Sequence, residues 1–349
     1  MSRFLTLIRR DMADNRGALV ITPLVVAGLL LVVTLLASFT GNARFGFDPG
    51  EFKAEASAEI KADIEAGGQR AKIERDSSGR VIIIGPDGQR KDLNQTIEKK
   101  GLEGLSAVLP VGTAFASMLP LLVAGIAVLF VTAGSLHDER KDRTILFWKS
   151  MPVSDLQTVG AKMTSIVGVG LFFALGVSLV LHLAITAIAM MTLGNVGLTG
   201  LSMVAVFMNV TKIWAVLTVG LLAYICWALP VYGWFILVSA WVNKMPFVAA
   251  FAPLFVVPLV YMAIAMRGDE FDPILQALWD PAGRLIGEPV FDGVKDVFNS
   301  ANDQIPALPI GEVLTQLSSN FAQPMLWVGL VIAAGFIYAA SEVRRRRAL

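Results

Sequence analysis

Residues 137–162 read HDERKDRTILFWKSMPVSDLQTVGAK, a charged segment that lies between two long apolar stretches, 108–136 and 165–193. Each stretch exceeds the roughly 20 residues that a helix needs to cross the hydrocarbon core of a bilayer. A charged segment joined to an apolar helix at both ends is typical of a loop between two membrane spans. This segment, called the 137–162 loop below, therefore predicts how the rest of the chain is arranged.

The composition of the chain is that of a membrane protein. Hydrophobic residues make up 55% of it and charged residues only 16%, whereas charged residues account for about 25% of soluble proteins. Six stretches are long and apolar enough to span a bilayer. We predict an all-α integral membrane protein with six transmembrane helices, at 18–39, 108–136, 165–193, 213–242, 247–266 and 325–340.

The distribution of Lys and Arg predicts the direction of these helices. With six spans, fourteen of these residues fall on one side, in the N-terminal segment 1–17, the 137–162 loop, Lys244 and the tail 341–349. Short loops rich in Lys and Arg stay in the cytoplasm, whereas long segments cross largely regardless of charge. The eleven Lys and Arg residues of 40–107 therefore provide little evidence about the orientation of the spans. We expect a multi-pass protein of the bacterial inner (cytoplasmic) membrane with both termini in the cytoplasm.

The first apolar run, 18–39, is about 22 residues long, and the h-region of a signal peptide is usually roughly 7–15 residues. No clear small-residue cleavage site follows it. We expect a retained span rather than a cleaved signal peptide.

The segments before and after the first span predict smaller elements. Residues 1–17 interleave apolar side chains with arginines, which favours a cytoplasmic amphipathic helix on the membrane surface over a frayed basic tail. Residues 40–107 predict a small extracytoplasmic α+β insertion, with a helix at 51–66 and a hairpin of strands at 71–75 and 80–84.

The second extracytoplasmic piece, 267–323, has nine acidic and three basic residues. A solvated acidic loop is the favoured interpretation, and a site for cations is the alternative. Within it, residues 310–321 carry an apolar stripe at helical spacing and predict a short amphipathic helix.

The basic cytoplasmic tail, 341–349, contains Arg344 to Arg347, which we expect to contact anionic lipid. Docking of these arginines to a partner is the alternative.

Within the 137–162 loop, Ile145 and Trp148 are spaced to share one face of a short helix. Pro152 ends that helix, and Ser154 with Gln157 matches a capping box that starts the next one. The sequence thus predicts a short helix across the membrane face that is tied to a span at each end. An ordinary positively charged loop, with Trp148 as its interfacial anchor, is the alternative.

The stretch FVTAGSLHDERKDRTILFWKSMPVSDLQTVGAKM, residues 130–163, resembles the second intracellular segment of ABC-2 type transporter permeases. Arg143 stands where that family usually has Gly. The resemblance extends loosely over the chain, through an amphipathic N-terminal helix, six spans and a final arginine cluster, although the 40–107 insertion is larger than in the plainest members. The matching positions are Glu139, Arg143-Thr144, Leu146, Met151-Pro152-Val153-Ser154 and Lys162.

The resemblance implies an ABC-2-like fold and a dimer of two permease copies, expected as a homodimer. It also implies one cytoplasmic ABC ATPase bound to the 137–162 loop of each copy. ATP and Mg²⁺ are expected in that partner, and no cofactor is expected in this chain. Membrane lipids are the remaining partner. The residues that the resemblance implies in ATPase coupling are Asp138, Glu139, Arg140, Arg143, Ile145, Phe147, Trp148 and Pro152.

The sequence lacks the motifs of several enzyme classes. No G-x-x-x-x-G-K-[ST], H-E-x-x-H or G-x-S-x-G motif occurs, so we expect a transport subunit rather than an ATPase or hydrolase. One cysteine, Cys226, and two distant histidines, His137 and His182, predict no metal site. A net charge of +1 offers no basic excess for binding nucleic acid.

The six predicted spans contain no Asp, Glu, Lys or Arg. Carriers coupled to an ion gradient usually place such residues in the membrane, so this absence favours transport driven by a partner ATPase. We expect His182 to be hydrogen-bonded between helices.

The predicted activity is export of a lipidic, peptidic or drug-like substrate. Aromatic side chains of the fourth span are predicted pathway residues, with packing between helices as the favoured alternative: Tyr224, Trp227, Tyr232 and Trp234.

Two other functions stay open. A membrane scaffold or sensor that uses a partner ATPase to do mechanical work on an envelope partner would have a similar sequence, with 40–107 recognising that partner. A channel or secondary carrier predicts transport without nucleotide. A cavity that forms a path between two copies of the chain discriminates the permease from the scaffold, because the scaffold needs no such path and its copies can pack without a cavity.

Overall fold

The protein is a bundle of apolar helices. In the part of the chain that the structure describes, six helices are long and apolar enough to cross a membrane, which matches the predicted number of spans and supports a multi-pass membrane protein. The predicted helix at 51–66 and the centre of the 137–162 loop, residues 144–152, lie outside the part of the chain that is described. The computed structural model describes residues 3–40, 72–75, 81–84, 90–143, 153–195, 201–266, 280–292, 294 and 309–346.

The N-terminal segment forms α1 (Arg3–Asp14), a π-helical turn (Gly17–Ile21) and the first span, α2 (Thr22–Phe39). Helix α1 is amphipathic, as its sequence predicts. Its Leu7 packs against Ala161 in the protein interior, while neighbouring apolar side chains remain exposed for a membrane surface. The helix therefore rests on the protein as well as on the lipid for which its pattern is typical.

The insertion contains a small antiparallel sheet in the order β1-β2-β3. Strands β1 (Lys72–Arg75) and β2 (Val81–Ile84) pair where the sequence predicts a hairpin, and β3 (Arg90–Asp92) extends the sheet. Helix α3 (Leu93–Ser117) follows β3 directly and continues into the second span. The helix thus starts fifteen residues before the predicted span at 108–136, and no proline separates the sheet from the apolar stretch.

Pro110 lies inside α3 without ending it. Proline has no backbone N–H, so it leaves the carbonyl of Ser106, one turn earlier, without its helical donor. The side-chain amide of Asn209 donates to that carbonyl at 3.3 Å. A neighbouring helix thereby satisfies the group that proline releases, as it must within a membrane. The helix then breaks at Met118, and α4 (Leu119–Lys141) begins with Pro120 in its first turn.

Helix α4 ends at Lys141, beyond the predicted end of the span at 136, so the first residues of the 137–162 loop are helical. The last part of the loop is α5 (Asp155–Met163), which starts with the predicted capping box between Ser154 and Gln157. A second π-helical turn, Thr164–Val169, joins α5 to the third span, α6 (Gly170–Asn195). The described residues thus place a helix at each end of the loop.

The core of the bundle is α7 (Met203–Trp241), a helix of 39 residues that packs most extensively against α11 (Pro324–Arg346). Helix α7 starts ten residues before the predicted fourth span at 213–242. Helix α8 (Pro246–Ala265) forms the fifth span. The shorter helices before α11 include α9 (Pro281–Ile286) and the predicted amphipathic α10 (Ile310–Ser319), which buries Val313 and Leu317.

The ends of α4, α7 and α11 meet α1 and α5 at one end of the bundle. There Arg140 donates to the final carbonyls of α7, and α5 packs against both α1 and α11. This end carries the cations that predict a cytoplasmic face and is called the basic end below. Helices α2 and α8 lie at the outside of the bundle, with apolar side chains such as Leu29 and Leu259 more than 60% exposed, as expected for contact with lipid.

A glycine allows α7 and α11 to approach closely. A Cβ atom added to Gly233 would lie 3.2 Å from Phe336 Cβ and 3.3 Å from the carbonyl oxygen of Ala333. The Ala333 carbonyl belongs to the backbone of the facing helix, so it can move little to make room for a methyl group. Small residues that let backbones approach are the usual means of packing membrane helices.

We expect Gly233→Ala to lower the free energy of unfolding by about 1–2 kcal/mol, because the methyl group overpacks the α7–α11 contact. Gly220→Ala on the same helix is the matched control, since a Cβ there would meet its nearest neighbour, Leu317, at an ordinary 3.7 Å. That variant should be neutral or stabilised, because alanine favours helix. Unfolding in mixed detergent micelles measures both, and equal effects of the two substitutions would contradict the packing argument.

Candidate coupling site at the basic end

Five charged side chains from four helices form a continuous series of ion pairs at the basic end, called the ion-pair chain below. Lys162 Nζ on α5 lies 2.7 Å from Asp11 Oδ1 on α1 and 3.1 Å from Glu139 Oε1 on α4. Arg344 Nη2 on α11 lies 3.4 Å from Glu139 Oε2, and its Nη1 pairs with Asp155 on α5. The ion-pair chain thus connects α1, α4, α5 and α11 without a gap.

Four of the five members of the ion-pair chain are almost fully removed from solvent, and the side chain of Asp155 is 21% exposed. Asp11 is 3% exposed, Arg344 4%, Lys162 7% and Glu139 9%. The hydroxyl of Ser165, in the π-helical turn after α5, also donates to Asp11. Desolvating a charge costs several kcal/mol, which a buried pair recovers only when its partner is held in good geometry. Each helix is consequently held in place by the charges of the others.

The sequence predicted a functional role for only part of the ion-pair chain. Glu139 is among the predicted coupling residues, and the structure buries it within the chain instead of exposing it for direct contact with a partner. The prediction that Arg344 contacts anionic lipid is wrong, because its guanidinium is buried against Glu139 and Asp155. Asp11 was missed, although one signal was present: it follows Leu7 by four residues and so lies on the buried face of α1.

Arg140 and His137 join α4 to the end of α7. Arg140 Nη2 donates to the carbonyl oxygens of Ser239, at 2.7 Å, and Val242, at 2.9 Å. The backbone N–H groups of Leu136 and His137 donate to the hydroxyl of Ser239. Arg140 therefore satisfies carbonyls that the end of α7 leaves without helical donors.

The other predicted coupling residues divide into two groups. Asp138 and Arg143 are exposed at the end of α4. Arg143 has a φ of 55°, a left-handed conformation that usually favours glycine at the end of a helix. The remaining four lie in 144–152, outside the described residues: Ile145, Phe147, Trp148 and Pro152.

A cavity of about 450 Å³ lies between α7, α8, α9 and α11. Of the four predicted pathway aromatics, Trp234 lines this cavity, and its indole N–H donates to the carbonyl of Ala250 at 3.2 Å. Tyr232 is instead fully buried in the core, with its hydroxyl 3.2 Å from that of Tyr224. Trp227 is buried in a cluster with residues of α10 and α11, so packing explains three of the four aromatics.

Arg284 of α9 also lines this cavity and is 3% exposed. Its guanidinium lies 5.0 Å from the ring centroid of Trp227. Trp227 is fourteen residues before the end of α7 at Trp241, or about 21 Å along the helix, so Arg284 reaches the interior of the bundle. Burial lowers the pKa of Arg284, and the nearby Asp280 carboxylate opposes that effect. The sequence placed this arginine in an extracytoplasmic loop.

Comparison of the chain with protein-family models and with curated proteins finds no match in either set.

Proposed function

We propose that this chain is the membrane-spanning permease subunit of an ATP-driven, ABC-2-like transporter. A separate cytoplasmic ATPase docks on the 137–162 loop of each copy of a homodimer and drives export. The basic end is the cytoplasmic end, and both termini lie there. The substrate is lipidic, peptidic or drug-like, because the walls of the cavity are apolar.

The ion-pair chain is the observation that carries this proposal. The 137–162 loop emerges from α4 and returns through α5, and Glu139, Asp155 and Lys162 fix both of these helix ends. The same charges hold α1 and α11. A force applied to the loop therefore acts on four helix segments together, since separating any one of them leaves a buried charge unpaired.

The expected mechanism follows from these connections. ATP-driven closure of the two ATPases displaces both loops, α4 and α5 move with them, and the second and third spans tilt. The π-helical turn between α5 and α6 is a feature that frequently occurs at functional sites, and it lies where such a motion enters the third span. The bundle then opens toward the side opposite the ATPase.

The backbone at Arg143 gives independent support for the resemblance. The related permeases usually have glycine at this position, and here the residue adopts a φ of 55°. A left-handed residue after a helix is the position where glycine is most favoured. The backbone geometry thus fits the family pattern even though the residue differs from it.

Co-purification tests the docking step. We expect the tagged chain, extracted in mild detergent, to recover an ATP-binding subunit. Arg143→Gly combined with Trp148→Ala should reduce that recovery at least about tenfold, since interface arginine and tryptophan residues commonly contribute most of the binding energy. Glycine is chosen at 143 because it removes the charge and suits the left-handed backbone. Arg345→Ala, on the exposed tail, is the matched control.

Docking through the loop is excluded if the double variant recovers the ATPase as well as the intact chain does. An intact, dimeric chain that recovers no nucleotide-binding protein would favour a carrier or channel.

A membrane scaffold that does mechanical work remains the second candidate, and one observation favours it. Helix α3 runs from the β-sheet of the insertion into the second span with no break until Met118. Motion of α3, which forms the first part of this span, would therefore move the insertion directly. ATP-dependent efflux from proteoliposomes discriminates the two functions, because the scaffold predicts ATP hydrolysis without transport.

A further inference from the structure

The cavity between α7, α8, α9 and α11 extends to the surface that faces lipid. Its lining is apolar apart from Arg284 and the Trp234 indole, and its volume of about 450 Å³ falls in the usual range of roughly 300–1,000 Å³ for small-molecule sites. Val256 of α8 lines the cavity and is 53% exposed. Among the described helices, α8 packs mainly against α7, α4 and α9, so the cavity opens toward the bilayer on the side of α8 next to α11.

A proline in α8 places a hydrogen-bond acceptor in the wall of this cavity. Pro253 has no backbone N–H, so the carbonyl of Ala249, one turn earlier, lacks its helical donor. A helical carbonyl points along the axis toward the residue four positions later, and both Ala249 and Pro253 line the cavity. The Ala249 carbonyl therefore lies on the face of α8 that borders the cavity.

The surroundings of Pro253 differ from those of the proline inside α3, where an asparagine side chain supplies the missing donor. Beside Pro253, the side-chain donor among the described residues is the indole N–H of Trp234, and it binds the next carbonyl, of Ala250, at 3.2 Å. Within a membrane, the donor for such a carbonyl comes from the protein or from a molecule in a cavity, since lipid tails supply none. The hydroxyl group of a ligand can donate to the Ala249 carbonyl.

Arg284 has partners of its own. Its guanidinium lies 5.0 Å from the ring centroid of Trp227, and Nη1 donates to the Trp227 carbonyl at 3.5 Å. Asp280 acts on it through its charge. Binding to the Ala249 carbonyl requires no group of Arg284, and moving a charged ligand from water into an apolar cavity is costly. The cavity therefore favours an uncharged molecule.

We propose that this cavity binds an uncharged amphiphile with one long apolar chain and a terminal hydrogen-bond donor, such as a hydroxyl group, that donates to the Ala249 carbonyl. The molecule enters from the bilayer beside α8. As the substrate class of the transporter, this inference rests on the proposed function. As a binding site, it can be tested without an ATPase.

The test compares two photoactivatable probes of equal chain length, a fatty alcohol and its methyl ether, on the full chain in lipid nanodiscs. The ether has a similar shape but no hydrogen to donate. We expect the alcohol to label peptides of α7, α8 and α11 about threefold to tenfold more efficiently at subsaturating concentration, the usual effect of one hydrogen bond. Equal labelling by the two probes would overturn the proposal.

A proline variant locates the acceptor. Pro253→Ala restores the backbone N–H, which then binds the Ala249 carbonyl within the helix, so the preference for the alcohol should disappear while labelling by the ether persists. Pro258→Ala is the matched control, because Pro258 is exposed on the same helix and does not line the cavity. That variant should keep the preference. An unchanged preference in Pro253→Ala, or its loss in both variants, would overturn the assignment to the Ala249 carbonyl.

Two further measurements test the location of the ligand and its charge. Ala252→Trp, which fills the cavity from α8, should reduce labelling by both probes, and undiminished labelling would place the ligand elsewhere. An unlabelled alkyl sulfate of the same chain length should compete with the alcohol probe no better than the unlabelled ether does. Competition stronger than that of the unlabelled alcohol would overturn the assignment of an uncharged ligand.

The outcome is separable from that of the proposed function. A preference for the alcohol that Pro253→Ala removes, together with failure to recover an ATPase, would keep the binding site and reject the permease. Recovery of an ATPase with equal labelling by both probes would do the reverse.

Discussion

Lys162→Met should lower the free energy of unfolding by about 3–5 kcal/mol, the usual effect of removing one partner of a buried ion pair. The ammonium group lies within 3.1 Å of both Asp11 and Glu139. Without it, two carboxylates remain buried, and Arg344 is left to neutralise both Glu139 and Asp155. Equilibrium unfolding in mixed detergent micelles measures the loss.

Two controls make this prediction specific to the ion-pair chain. Arg345→Met removes a cation whose side chain is 68% exposed, and we expect a change within about 0.5 kcal/mol. Adding Asp11→Asn to Lys162→Met should recover part of the stability, since the unpaired carboxylate is then neutral. A similar loss in Arg345→Met, or a strictly additive loss in the double variant, would show that the buried charges are not coupled.

The second large effect is expected at His182, a fully buried residue of α6. The indole N–H of Trp214 donates to His182 Nδ1 at 2.7 Å, and Nε2 lies 2.9 Å from the carbonyl oxygen of Pro110. An indole nitrogen can only donate, so Nδ1 is the acceptor and the neutral ring carries its proton on Nε2. This geometry confirms that the histidine is hydrogen-bonded between helices.

We expect His182→Leu to destabilise the protein by about 3 kcal/mol, because it leaves the Trp214 donor and the Pro110 carbonyl without this partner. Ser178→Ala is the matched control. Ser178 lies one turn earlier on α6, is fully buried, and its hydroxyl has no hydrogen-bond partner among the described residues. That substitution should be neutral or stabilising. If both variants lose the same stability, loss of buried volume rather than of hydrogen bonds explains the effect.

The sequence predicted those features that depend on local pattern. Apolar length alone predicts the spans, and the capping box at Ser154 requires residues only three positions apart. The hairpin and α10 are likewise predicted from short periodic patterns, because the residues that form each pattern are close together in the sequence.

The features that the sequence did not predict depend on distant residues. Lys162 and Asp11 are 151 positions apart, and Arg344 and Glu139 are 205 apart. No local pattern indicates that these residues pair. The arginine cluster of the tail therefore predicted that Arg344 contacts anionic lipid. Helix α9 has only six residues, too few for helical periodicity, and this explains why Arg284 was placed outside the bundle.

The most direct measurement is ATP hydrolysis by the recovered complex in lipid nanodiscs, with the intact loop and with Arg143→Gly combined with Trp148→Ala. We expect the intact chain to stimulate the ATPase, and we expect no stimulation by the double variant, folded and as stable as the intact chain. Equal stimulation by the two chains would contradict coupling through the 137–162 loop.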